Sequence, residues 1–234
     1  MQSFWPFCAR SKVVLYLLRG DLRQREMKVL IIGATGNTGR LVTPRLLAEG
    51  HDVTAFARQP AKLTAAADRL RLVQGDVRDP PSLELAVMGQ DAVIATFGPR
   101  TLGKTDVQEV FMRNLVAAME HCDVRRLVNL SAWGSGGAAV PPRSLVVRYF
   151  LLPILLRHLL ADKQRGETHL FASNLSYINV CPALIKDLPS RGKVRASIDG
   201  AGLEQVMHRE DLAQFMVEQL TTDQWVRACV AIGY

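Results

Sequence analysis

At 234 residues the chain suits one α/β domain with a full core and would crowd two. Its 29 basic and 22 acidic side chains leave a formal charge of +7, yet the cations are scattered, without a lysine/arginine block or a basic helix interleaved with aromatics. That pattern argues against nucleic acid and for a small polyanionic ligand.

Residues 1–26 carry Trp5, Phe7 and several arginines but no clear periodicity. A secretory signal is disfavoured because the apolar run at 13–18 is short and no small-residue cleavage site follows. Met27 stands directly before the first strand, so 1–26 is expected to be a dispensable extension, an amphipathic arm being the competing reading. From there the alternation is regular. Strands are expected at 28–32, 53–57, 70–73, 92–96 and 126–130, with helices at 38–48, 81–88 and 106–121. In the first helix Leu41, Val42 and Leu46 face inward, Pro44 should kink the axis, and Gly50 ends it. Apolar strands alternating with helices imply a parallel sheet covered on both faces.

After Ser131 the regularity breaks. A glycine- and proline-rich loop at 134–142 leads to an interrupted apolar helix at about 145–173 and a sixth strand at 176–180. Short segments at 193–197 and 205–207, a helix at 209–220 and a strand at 228–232 are expected to form a smaller cap-like part. The run 145–160 is broken by Arg148, Pro153 and Arg157 and cannot span a bilayer; it reads equally as a pocket wall, a core helix or an oligomer face. Cys8, Cys122, Cys181 and Cys229 show neither zinc nor thioredoxin spacing and suit free thiols in a reducing compartment, the cytoplasm. His158, His169 and His208 read as packing or capping residues, and no metal site is expected.

The chemistry centres on Gly33, Gly36 and Gly39, between the first strand and first helix. Without β-carbons there, the turn can be tight, a diphosphate can approach the backbone, and the helix can lie close on its strand. The free amides of the first helical turn, with the positive end of the helix dipole, then face the phosphates. About 20 positions on, where NAD proteins place an acid, stands Arg58, with Lys62 a turn further; two cations there suit the 2′-phosphate of NADP better than NAD. Asp76 can accept from an adenine amino group or cap a turn, and both readings stand. Phe97-Gly98-Pro99-Arg100 follows the fourth strand, Gly98 permitting close contact with the coenzyme and Arg100 attracting an anion. Ser131, ending the fifth strand, is the polar side chain best placed for the nicotinamide and the catalytic candidate. Ordinary short-chain dehydrogenases pair such a serine with a tyrosine and a lysine four residues later. Neither Tyr149 nor Tyr177 has that lysine, so acceptors needing little acid catalysis are favoured.

These motifs resemble those of the atypical short-chain dehydrogenase/reductases of the NAD(P)H-binding type, and within them the biliverdin reductase B (NADPH flavin reductase) group. The resemblance rests on Gly-Ala-Thr-Gly-Asn-Thr-Gly at 33–39, Val-Thr-Ala-Phe-Ala-Arg at 53–58, Gly-Asp-Val at 75–77, Gly-Gln-Asp-Ala-Val-Ile at 89–94, Ser-Ala-Trp at 131–133, Val-Pro-Pro-Arg at 140–143 and Asp-Leu-Ala-Gln-Phe-Met at 211–216. It implies a Rossmann-type doubly wound sheet over 27–234, with 146–234 supplying the substrate side, acting as a monomer or weak homodimer on a small molecule. It would place Thr35, Asn37, Thr38, Arg58, Lys62, Asp76, Val77, Gly98 and Arg100 on NADP and Ser131 beside the nicotinamide. Trp133, Pro182 and Leu184 fall on the substrate side, Leu184 standing where the reductase group tends to carry a histidine. The leading expectation is hydride transfer from NADPH to a flavin, quinone or tetrapyrrole. A non-catalytic NADP sensor is the alternative, and an epimerase or dehydratase is disfavoured by the missing tyrosine–lysine pair.

Overall fold

The structure, a computed structural model, describes residues 26–63, 67–98, 103–133 and 156–234; 1–25 and the loop at 134–142 lie outside them. Strands β1 (Lys28–Ile32), β2 (Asp52–Ala57), β3 (Leu70–Gln74), β4 (Ala92–Ala95), β5 (Arg126–Leu130) and β6 (Ser176–Pro182) are joined with β10 (Ala228–Gly233) and β8 (Arg195–Ser197) in one sheet of order β3-β2-β1-β4-β5-β6-β10-β8. Every pairing is parallel except β10 with β8. This is the expected doubly wound Rossmann-type α/β fold.

The sequence of β1 explains why it lies at the centre. Val29 and Ile31 point into one apolar layer, with Val42 and Leu46 of α1 (Gly39–Ala48) and Leu212 and Met216 of α5 (Arg209–Glu218). Leu30 and Ile32 point into the other, with Leu83 of α2 (Pro80–Val87), Leu115 of α3 (Val107–His121) and Leu170 of α4 (Arg157–Ala172). A strand buried on both faces can afford no polar position after its first residue, and β1 has none.

One expectation needs correction. The segment after β6 does not form a separate cap, because β10 pairs with β6 and carries β8 outward, extending the main sheet. Among the described residues, β7 (Leu184–Lys186) and β9 (Val206–His208) pair apart from it. Helix α1 runs unbroken through Pro44. Pro44 and Arg40 are both on the solvent side, so the Arg40 carbonyl that loses its helical donor can bond to water instead.

One polar knot anchors α5. The Asp211 carboxylate, 3% exposed, accepts hydrogen bonds from the Ser190 and Tyr234 hydroxyls and from the amides of Arg191 and Gly192. Burial pushes this carboxyl up, but the Ser190 and Tyr234 hydrogen bonds, with the two amides, outweigh it and hold it below its ordinary value. Burial and Asp211 together push the Tyr234 phenol up to about 12. A carboxylate with a lowered folded pKa stabilises fully above its unfolded value, near 3.9, and loses that contribution as pH falls through the folded value. Asp211→Ala should therefore cost about 3 kcal/mol in urea unfolding at pH 7, with the deficit shrinking below pH 4.

Candidate functional site

Strand order reverses between β1 and β4, and in doubly wound sheets ligands bind outside the carboxyl ends of the strands at such a point. Two loops meet there. After β1, Gly33 adopts φ 88° and accepts the Gly36 amide at 2.9 Å, and α1 opens at Gly39. After β4, the Thr96 hydroxyl lies 3.2 Å from the carbonyl oxygens of both Ile32 and Gly33, tying the loops together.

The three glycines are not equivalent. A β-carbon on Gly39 would fall 2.2 Å from the Gly33 carbonyl oxygen and 2.7 Å from Ala34 Cα, so this glycine is required by the fold. A β-carbon on Gly36 would meet one atom, the Gly33 oxygen at 3.1 Å, and one on Gly98 would meet nothing within 4 Å. Among the described residues, the amides of Asn37 and Thr38 donate to no protein group. These amides and the bare Gly36 backbone form a cradle whose donors the fold leaves for an anion. Helix α3 differs, since buried Asp162 accepts the Gln108 and Glu109 amides at 3.0 and 3.2 Å and so occupies its amino end. Gln108 Nε2 also donates to the Phe97 carbonyl at 3.3 Å, fixing the β4 loop.

Arg58 follows β2, and Lys62 closes a 3-10 turn at Pro60–Lys62 where a full helix turn was expected. Both are exposed, and neither has an ion-pair partner among the described residues. Asp76 Oδ1 accepts the Arg78 amide at 3.0 Å, so the turn-cap role is present. Val77 is buried, its carbonyl accepting Asn114 Nδ2 at 3.1 Å. Thr35 is half-buried in the glycine loop. Arg100 lies outside the described residues.

Ser131 is at the carboxyl end of β5, its amide bonded to the Val180 carbonyl at 2.7 Å. Its hydroxyl donates to Glu167 of α4, which also accepts Asn179 Nδ2 at 3.0 Å. One turn earlier on α4, Lys163 Nζ donates to the Leu130 carbonyl at 2.9 Å. Burial lowers the pKa of that amine, opposed by the Glu167 charge. The sequence reading missed Lys163, Glu167 and Asn179. The available signal was Lys-x-x-x-Glu at 163–167, overlooked because Leu159 stands four residues before the lysine, where a tyrosine was sought. Trp133 donates its amide to the Pro182 carbonyl at 3.2 Å, and Leu184, 63% exposed, joins β7 to β9 beyond it. The Cys181 thiol is pushed up by its hydrogen bond with Cys229 and by burial, which leaves it a poor nucleophile. His208 is the residue before α5, its ring bonded to the Pro189 carbonyl. Among the described residues no cluster could hold a metal, and no helix is long and apolar enough to cross a membrane.

Residues 33–223 match the NAD(P)H-binding family, and the chain belongs to it. An uncharacterised chloroplastic protein of Arabidopsis thaliana is 30% identical over 226 residues, covering 92% of this chain and 80% of that protein. A (4-alkanoyl-5-oxo-2,5-dihydrofuran-3-yl)methyl phosphate reductase of Streptomyces griseus is 37% identical over 103 residues, 44% of this chain and 34% of the reductase. Among solved structures, a short-chain dehydrogenase/reductase of Veillonella parvula in complex with NADP superposes with TM-score 0.73 at 18% identity, over 88% of this chain and 94% of that one. An oxidoreductase of Lactococcus lactis gives 0.75 at 21% identity, over 88% and 90%. The last two share the fold. The chain is thus an NAD(P)H-binding, oxidoreductase-like protein with reductases among its relatives.

The unequal glycines separate folding from binding. Gly39→Ala should lower stability by more than about 3 kcal/mol. Gly36→Ala should keep melting within a few degrees of wild type while weakening NADPH about tenfold or more. Thermal unfolding by circular dichroism and titration calorimetry check the two halves.

Proposed function

We propose that the protein is an NADPH-dependent reductase that delivers a hydride to a flat conjugated acceptor of the flavin, quinone or tetrapyrrole kind. The observation that carries this reading is the crevice between the β1 and β4 loops, where the Asn37 and Thr38 amides have no acceptor among the described residues, with Ser131 one strand beyond. Gly33, Thr35, Gly36, Asn37, Thr38 and Gly39 would hold the diphosphate. Arg58 and Lys62 would pair with the 2′-phosphate, and Asp76 and Val77 would meet the adenine. Phe97 and Gly98, with Arg100, would line the coenzyme's path toward the nicotinamide.

When bound, NADPH supplies the hydride. The chain's own contribution is positional. Glu167 and Asn179 hold the Ser131 side chain in one orientation, from which it fixes the nicotinamide amide or the acceptor. Lys163 fixes the adjoining end of β5 through the Leu130 carbonyl. With Leu159 in the position a phenol would need, the proton that accompanies the hydride comes from solvent. Exposed Leu184 and Leu188, 63% and 45% accessible, offer the apolar contact that a flat acceptor wants, with Leu184 departing from the histidine that the biliverdin reductase B group tends to carry there. Cys122, Cys181 and Cys229 form no disulfide among the described residues, which suits a reducing compartment such as the cytoplasm, and the reading is of a monomer or weak homodimer.

A non-catalytic coenzyme sensor is the second reading. It is favoured by one fact: Ser131 is 5% exposed and its hydroxyl is already engaged by Glu167. Stopped-flow mixing of NADPH-loaded protein with flavin and a quinone panel separates the two. Oxidation at 340 nm within seconds is expected, and tight binding without oxidation by any acceptor would favour the sensor. For coenzyme choice, Arg58→Ala should raise the NADPH dissociation constant about tenfold and leave that of NADH nearly unchanged; equal effects would remove the 2′-phosphate assignment.

A further inference from the structure

We infer that Arg209, which no motif reading singled out, is a diphosphate-positioning residue carried to the glycine loop by the substrate-side helix. The inference rests on the coenzyme reading above. Arg209 is the first residue of α5, directly after β9. Its Nη1 donates to the hydroxyl of Thr38 at 3.1 Å, across 171 positions of sequence. Thr38 is the residue before α1, buried, and its side chain makes no capping bond to that helix. The guanidinium therefore lies at the amino end of α1 while its own backbone forms the amino end of α5. Both are positive ends of helix dipoles, where a cation is disfavoured unless an anion is also present.

The protein supplies little compensation. The Arg209 side chain is 16% exposed, and its ion-pair partner among the described residues is Asp187, 72% exposed, with Nε to Oδ1 at 2.5 Å. An exposed carboxylate contributes little against the desolvation of a mostly buried cation. Glu210 and Asp211 stand in the first turn of α5, but Asp211 is occupied by Ser190, Tyr234 and two amides. Among the described residues no second anion pairs with Arg209, and the Asn37 and Thr38 amides next to its Thr38 contact donate to no protein group. A coenzyme diphosphate answers both, and guanidinium geometry matches its paired oxygens. Asp187 is then a competitor for the same guanidinium, which distinguishes a ligand-binding arginine from a strap between α5 and α1.

The test is titration calorimetry of the full chain with NADPH and with 2′,5′-ADP, which lacks the diphosphate. Arg209→Gln keeps a donor for Thr38 and drops the charge. It should weaken NADPH about tenfold or more, change 2′,5′-ADP less, and flatten the salt dependence of NADPH binding. Asp187→Asn should bind NADPH as tightly as wild type or tighter, and Arg209→Lys, which keeps the charge but loses the paired donors, should weaken NADPH severalfold, less than Arg209→Gln. If Arg209→Gln does not fold, the Asp187→Asn and Arg209→Lys titrations decide alone. Unchanged NADPH affinity in Arg209→Gln overturns the inference, as does an Asp187→Asn that weakens binding or an Arg209→Lys that leaves NADPH affinity unchanged. No NADPH binding by the wild type would instead bring down the coenzyme reading itself.

Discussion

The closeness of the backbone to itself between β1 and α1 governs the rest of the molecule. With a 2.2 Å separation between a Gly39 β-carbon and the Gly33 oxygen, no other residue lets α1 start where it does. That start sets α1 against the sheet, brings its amino end to the β4 loop, and leaves the Asn37 and Thr38 amides without an acceptor among the described residues. The neighbouring helix α3 shows the contrast. There Asp162 closes the amino end from within, so the two helices at the crevice have been assigned different work by one carboxylate.

Across the crevice, the end of β5 is held by buried polar side chains. Glu167 receives Ser131 and Asn179, Asn179 receives Asn129 at 2.7 Å, and Lys163 takes the last β5 carbonyl. Such a network is costly to leave half satisfied, and when complete it fixes side-chain orientation. At the proposed site it forms a rigid wall rather than a strong acid, which would suit the proposed acceptors that take up hydride readily and draw their proton from water. The reductases among the relatives match less than half of this chain, so the acceptor must be read from the site itself.

Much of this was legible in the chain because local pattern and fold agreed. Buried runs such as 28–32 and 92–95 cannot be amphipathic helices, and the glycine spacing admits few alternatives. Other features were not legible because they depend on contacts far apart in sequence. The place of β10 in the main sheet follows from pairing with β6, about 50 positions away. Helix α1 continues through Pro44, whose face meets water. Lys163 and Glu167 look like an ordinary solvated helix pair until α4 is laid against β5, and Arg209 gains meaning only once α5 reaches Thr38. Periodicity can reveal which face of an element is apolar, but not what polar group another element brings to it.

The most direct test is a crystal structure of the full chain with NADP. The expected result is a diphosphate against the amides of residues 36–38, with the 2′-phosphate toward Arg58. A coenzyme bound elsewhere on the molecule, or a β1–α1 turn left unoccupied at saturating NADP, would contradict the assignment of that cradle.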